Sequence, residues 1–218
     1  MPWLTLLPLL LVTEPTSAVP AIPTPACVAC NVDPEEVRSG YSKADWKDLA
    51  LGQIVTTKTD TAGTDGGINT SVQTSAIFPH TPAQVWSVLV DFDSRPAFTP
   101  GLEESHIKKV EGNRVWLDER VRVWWVNIRY HIIDTLEPER GLISWVLDKS
   151  LDNDIRDSVG SWQLVPLPPG PQTLVRYRAR LDTGQPVPAF VESFLVKRSL
   201  PKLVGGLREE VERRYPHE

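Results

Sequence analysis

Cysteine and methionine are nearly absent from this chain, which holds two of the first and one of the second in 218 residues. Cys27 and Cys30 alone cannot build a structural zinc site, which needs two further ligands. They sit on no βαβ pattern, so a redox motif has little support either. Three readings remain: a local disulfide, lipidation of one cysteine, or an incidental pair in a linker. Thr24 and Cys27 stand where a lipidation signal wants Leu or Val, and the incidental pair is the preferred reading. A surplus of positive charge is also lacking. The net charge is −5 and the pI about 5.5, so the electrostatic footprint of a nucleic-acid binder is missing. No Gly-rich loop leads from a strand into a helix, no His-x-x-x-His or carboxylate cluster marks a metal, and no Gly-x-Ser-x-Gly elbow occurs. No metal, cofactor or catalytic residue is expected on these grounds.

Long apolar runs are missing too. Leu4–Val12 is the best of them, well short of the roughly 20 residues a membrane helix needs. Small polar residues follow, and Thr16-Ser17-Ala18 and Val19-Pro20-Ala21 resemble cleavage sites. Residues 1–21 therefore read as a signal peptide and the protein as exported, periplasmic or secreted. The segment before Leu4 has no Lys or Arg, which keeps a cytoplasmic alternative open. What is abundant is tryptophan. Seven of the eight lie beyond this segment, where large rigid rings fill a core or line a pocket.

Residues 22–51 read as a linker rich in Pro and Ala, with a short helix somewhere in Pro34–Leu51 capped by Asp33. Strands follow at 53–60 and 68–78, around the turn Gly63–Gly67. Thr81 then caps a helix with Pro82 at its first position. Ser94–Gly101 breaks regular structure. From 102 to 182 the pattern is strands: 102–110, 114–126, 128–136, 142–148, 155–165 and 172–182. Along 114–126, Val115, Leu117, Val121, Val123 and Trp125 share one face, interrupted by Glu119. A helix over 187–214 closes the chain, with Phe190 and Phe194 on its apolar stripe. Pro201 is expected to kink it, and Gly205-Gly206 either weakens it or permits close packing. The order predicts an α+β fold. A curved antiparallel sheet of six to seven strands covers one apolar face with the terminal helix, and a short helix follows the first strand.

Several local motifs then carry a resemblance. Thr81-Pro82-Ala83-Gln84-Val85-Trp86, Asp93-Ser94-Arg95-Pro96-Ala97-Phe98, Gly160-Ser161-Trp162-Gln163-Leu164, Thr173-Leu174-Val175-Arg176-Tyr177 and Ser199-Leu200-Pro201-Lys202 occur in order. Together they resemble the helix-grip superfamily, also called START or SRPBCC, in its polyketide cyclase and coenzyme-Q-binding branch. The resemblance implies one helix-grip domain over 52–215. It implies a cavity between the sheet's concave face and the terminal helix, holding an apolar small molecule such as a lipid, quinone or polyketide-like compound. By alternation, the lining draws on Phe92, Phe98, Leu117, Glu119, Val121, Val123, Trp145, Tyr177, Phe190 and Phe194. Non-catalytic binding or transport is the first functional reading, and an aromatase/cyclase-type enzyme the second. Beyond the apolar ligand, transient membrane contact is the one other partner considered; the oligomeric state is not legible.

Glu119 is the residue on which the site turns, because a buried carboxylate needs a partner or a raised pKa. The preferred expectation is that a β-bulge turns it outward or that an arginine on a neighbouring strand pairs it. His131 and Asp134 fall on opposite faces and make no dyad. His80, His106 and His217 are expected to be exposed. Arg176, Arg178 and Arg180 read as a solvated strand face, with binding of an anionic headgroup or partner as the alternative. Convergence of Glu119, Arg176 and Tyr177 inside a cavity would mark an enzyme.

Overall fold

In the computed structural model, residues 22, 24–62, 68–123, 125–182 and 198–216 are described. Eight antiparallel strands form one sheet in the order β1-β2-β8-β7-β6-β5-β4-β3. They are β1 (Val55–Ala62), β2 (Ile68–Phe78), β3 (Leu102–Glu111) and β4 (Arg114–Val123). β5 (Val126–Glu137), β6 (Leu142–Leu147), β7 (Asp157–Leu167) and β8 (Gln172–Asp182) follow. Among the described residues four α-helices accompany them: α1 (Pro34–Ser39), α2 (Lys43–Ala50), α3 (Pro82–Leu89) and α4 (Leu200–Arg214). The fold is the α+β helix-grip expected, with one strand more than the upper estimate. The helix α3 follows the second strand, not the first. β1 and β2, the strands expected at 53–60 and 68–78, pair as a hairpin, and counting β1 into the sheet accounts for both differences.

Local signals start the helices where the sequence placed them. Thr81 and Gln84 form a reciprocal capping box, with Thr81 N–H donating to Gln84 Oε1 at 2.9 Å and Pro82 in the first turn. Asp33 accepts from Glu35 N at 2.9 Å to start α1. The single helix expected over Pro34–Leu51 is divided into α1 and α2 at Gly40-Tyr41-Ser42. Pro201 lies in the first turn of α4, where its missing N–H costs nothing. The expected kink and residues 187–197, with Phe190 and Phe194, fall outside the described residues.

Two cores flank the sheet. The larger fills the concave side, where Leu117, Ile132, Ile143, Trp145 and Trp162 meet Val204, Leu207 and Val211 of α4 and Val85, Leu89 and Phe92. The smaller lies on the convex side, where Leu49 and Trp46 of α2 cover Leu174, Val165 and Ile77. Each fully buried Leu or Val contributes about 1.5–3 kcal/mol of transfer free energy. Gly206 lets α4 approach closely. A Cβ there would lie 2.3 Å from the carbonyl oxygen of Phe98, so of the two readings of the Gly-Gly pair, close packing is the one realised at Gly206.

The segment read as a linker is tied down near its cysteines. Cys27 and Cys30 are disulfide-bonded rather than an incidental pair. Between them, Ala29 is buried in the larger core, and its N–H donates to the carbonyl of Pro138 at 2.7 Å. Asn31 N–H does the same to Glu139 at 2.9 Å. No helix among the described residues is long and apolar enough to cross a membrane.

Candidate functional site

Sheet register assembles a polar row on the concave face. Ser105 of β3 stands opposite Glu119 of β4, and Glu119 opposite Tyr130 of β5. Four residues along β5, and so on the same face, is Asp134, opposite Trp145 of β6. Into this row reaches Arg95, carried by the 3-10 helix Phe92–Ala97 after α3. Its guanidinium donates to Glu119 Oε1 at 3.3 Å and to Asp134 Oδ2 at 2.9 Å. The same group lies over the ring of Phe92, 4.2 Å from the centroid. Ser105 Oγ donates to Glu119 at 3.5 Å, and the Tyr130 hydroxyl also hydrogen-bonds this carboxylate.

Burial and charge set the ionisation of this cluster. Burial alone would lower the Arg95 pKa, but Asp134 and Glu119 outweigh it and raise the value. Burial pushes the Asp134 carboxyl up to about 6, against the opposing pull of Arg95, and the neighbouring Glu119 charge adds to the rise. Burial, then Glu119, holds the Tyr130 phenol well above its ordinary value, and the Tyr177 phenol is raised for the same reasons. Asp134 is 1% exposed and its Oδ1 has no hydrogen-bond partner. An unsatisfied buried carboxylate oxygen is costly and marks a place where a donor is missing.

Beside the polar row lies an aromatic wall. Tyr177 stacks on Trp145, with centroids 5.4 Å apart, and tilts against Trp162 at 4.6 Å. Gly160 makes room for it, since a Cβ there would sit 2.1 Å from the Trp145 ring. Trp145 Nε1 donates to Ser158 Oγ at 3.1 Å, so the indole is buried with its donor satisfied. A cleft of about 620 Å³ opens where the turn after Arg95 meets α4, lined by Pro96, Phe98, Leu102, Lys202, Gly206 and Arg213 among others. On its α4 side, bonds from Arg213 and Arg214 hold the Glu210 carboxyl down at about 2.

Several expectations change. Glu119 is not turned outward: both irregularities of the β3–β4 pair lie elsewhere, between Leu102 and Glu104 and between Ile107 and Lys109. Its arginine comes from a 3-10 turn rather than a neighbouring strand. Arg176 does not join Glu119 and Tyr177, because strand alternation puts it on the convex face. It is half-buried there instead of solvated. His80 is buried, not exposed, with Nε2 2.9 Å from the carbonyl oxygen of Tyr215. His106 is exposed as expected, and His217 lies outside the described residues. Phe92, Phe98, Leu117, Glu119 and Trp145 are buried on the concave side, whereas Val121 and Val123 near the strand end are half-buried. His131 faces Asp118 and Asn153, away from Asp134.

Arg95 and Asp134 are the site residues that pattern reading missed. The signal for Asp134 was present, since Ile128, Tyr130, Ile132 and Leu136 alternate around it on one face. Arg95 had no comparable signal, because an arginine in an irregular, Pro-broken segment has no face to be read from.

A family profile described as polyketide cyclase / dehydrase and lipid transport matches residues 69–212. The chain belongs to this family. Its members are proteins of apolar small molecules, with cyclase or dehydrase chemistry and lipid transport as the described activities. The match spans β2 through α4 and takes in all of Arg95, Glu119, Tyr130, Asp134 and Tyr177. Among solved structures, a STAR-related lipid transfer protein from Xanthomonas axonopodis is similar at TM-score 0.60 and 17% identity, covering 73% of this chain and 93% of that one. The Zhui aromatase/cyclase from a Streptomyces species is similar at TM-score 0.57 and 18% identity, covering 66% and 94%. A START superfamily protein from Mycobacterium smegmatis aligns at TM-score 0.56 and 18% identity, covering 66% and 98%. At such identities the likeness establishes the fold alone. No curated protein sequence matches the chain.

Proposed function

We propose that this member of the family binds and carries an apolar small molecule, of the lipid, quinol or polyketide-like kind, between the concave face and the C-terminal helix. The ligand is neutral and presents a hydroxyl to the polar row. The observation that carries this reading is the unpartnered Oδ1 of Asp134, buried beside a guanidinium whose other bonds are taken. Two carboxylates share Arg95, so the cluster has no spare positive charge for an anionic end group. It has a spare acceptor, which suits an O–H donor. The stacked and tilted rings of Trp145, Trp162 and Tyr177 supply an apolar aromatic surface next to it.

Native mass spectrometry of the protein purified from its own cells, with solvent extraction of what is bound, tests the proposal. The expected result is a discrete neutral apolar adduct that is lost on denaturation and much reduced in Asp134→Leu. A clean apo mass, together with no retention of hydroxylated aromatic compounds, would count against it. Affinity is expected to rise as pH increases through about 6 and then level off. The sign follows from Asp134: a ligand hydroxyl donates to the carboxylate, and below its pKa the group is protonated.

The second reading is an aromatase/cyclase-type enzyme. Asp134 favours it, because a carboxyl near pKa 6 beside two buried phenols suits proton transfer at neutral pH. Accelerated ring closure of a poly-β-ketone thioester, lost in Asp134→Asn with the fold intact, would move the assignment to that class. Export is proposed as well, supported by the Cys27–Cys30 disulfide, since such bonds persist in oxidising compartments. The mature N-terminus and its thiol titre, measured on the native protein, test this directly.

A further inference from the structure

The convex face holds two cations that no anion among the described residues answers. Arg176 and Arg178 lie two apart on β8 and so share that face, with Gln73 and Ser75 of β2 beside them in register. Tyr41, from the turn between α1 and α2, closes over the group. Its hydroxyl lies beside the Arg176 guanidinium, accepts a hydrogen bond from Gln73 Nε2 at 3.4 Å and meets Ser75 Oγ at 2.8 Å. Arg178 Nε donates to Gln73 Oε1 at 2.6 Å. Arg176 Nε is buried and has no partner.

Among the described residues neither guanidinium bonds a carboxylate, in a chain whose net charge is −5. By contrast Arg95, Arg120, Arg122, Arg129, Arg213 and Arg214 each do. No carboxylate acts on Arg176; burial first, and the like charge of Arg178 second, lower its pKa. A half-buried cation beside a second cation is unfavourable until an anion arrives. The neutral neighbours, a phenol, an amide and a hydroxyl, fix the two guanidiniums in place without neutralising them.

We infer that Arg176 and Arg178, with Tyr41, Gln73 and Ser75, form a binding site for an oxyanion with the chemistry of a phosphate, on the convex face and separate from the concave cavity. Planar guanidinium forks match the paired oxygens of such a group, and two of them balance a dianion. The phosphate belongs either to a soluble molecule or to a lipid headgroup.

Calorimetric titration of the full chain with inorganic phosphate at low ionic strength is the first arm. Flotation with phosphatidylcholine vesicles containing phosphatidic acid is the second. Saturable phosphate binding is expected, weakened at least tenfold in Arg176→Gln and in Arg178→Gln. Arg122→Gln, which removes an arginine already bonded to Glu103, should leave it unchanged. Phosphate binding without flotation assigns a soluble anion. Flotation that phosphate competes away, and that both variants lose, assigns a headgroup. Absence of binding by either probe, or equal weakening in all three variants, overturns the inference. Arg178 is exposed, so Arg178→Gln decides the matter should Arg176→Gln fail to fold.

Discussion

On the concave face one guanidinium, Arg95, serves two carboxylates, and on the convex face two guanidiniums, Arg176 and Arg178, serve none. The first group stands on β4 and β5 and the second on β8 and β2 of the same sheet, and the two faces also differ in what covers them. The concave face is roofed by α3, its following turn and α4, which deliver an arginine to acids already there. The convex face is roofed by α1 and α2, which deliver leucine, tryptophan and a tyrosine hydroxyl. The lesson is that burial with a charged partner makes a closed network, whereas burial with neutral partners leaves a charge open to a ligand.

The sharpest way to break the contrast is Arg95→Met. It leaves Glu119 and Asp134 buried together, and should cost about 3–5 kcal/mol at pH 7. The penalty should shrink markedly at pH 5, below the Asp134 value near 6, where that carboxyl is neutral. Urea denaturation at both pH values measures it, and a pH-independent loss would contradict the buried triad. Next comes Leu49→Ala on the other side, worth about 2–5 kcal/mol if α2 is an integral part of the fold. A loss near zero would show α1 and α2 to be dispensable cover.

Gly160→Ala pushes a methyl into the Trp145 ring and should destabilise by about 1–3 kcal/mol. Tryptophan fluorescence should shift with it, because Trp145 and Tyr177 are stacked there. Acidification probes the α4 side of the cleft. Glu210, held at about 2, contributes stability that is full above the ordinary glutamate pKa and is lost as pH falls from about 4.5 toward 2. Glu210→Gln should flatten the acid limb of a stability–pH curve in that window. The smallest effect expected on stability is from Arg178→Gln, within about 0.5 kcal/mol, whatever it does to phosphate binding.

Much of the fold was legible in residue order. Thr81 and Pro82 announced α3, the alternation of Val115, Leu117, Glu119 and Val121 gave β4 its two faces, and the motif order pointed to the helix-grip arrangement. The split of α1 from α2 and the burial of His80 were less visible. The second depends on contacts remote in the chain, such as the bond between His80 and the Tyr215 carbonyl 135 residues away. At the site, Glu119 stood out as a break in an apolar face, but its partner did not, because pairing was sought along the sheet. The nearest cation came from outside it.

By itself, then, the sequence determined the period of each element, the caps that start the helices and the side of each strand that is apolar, since all three are set by neighbours within a few residues. Alternation along β4 and β5 also put Glu119 and Asp134 on the same face as Leu117 and Ile132. Only the tertiary structure decided that Arg95 would meet them and that Arg176 would be left without an anion. Ion pairing depends on which charges arrive within a few ångströms, and that distance is fixed by the packing of elements remote in the chain.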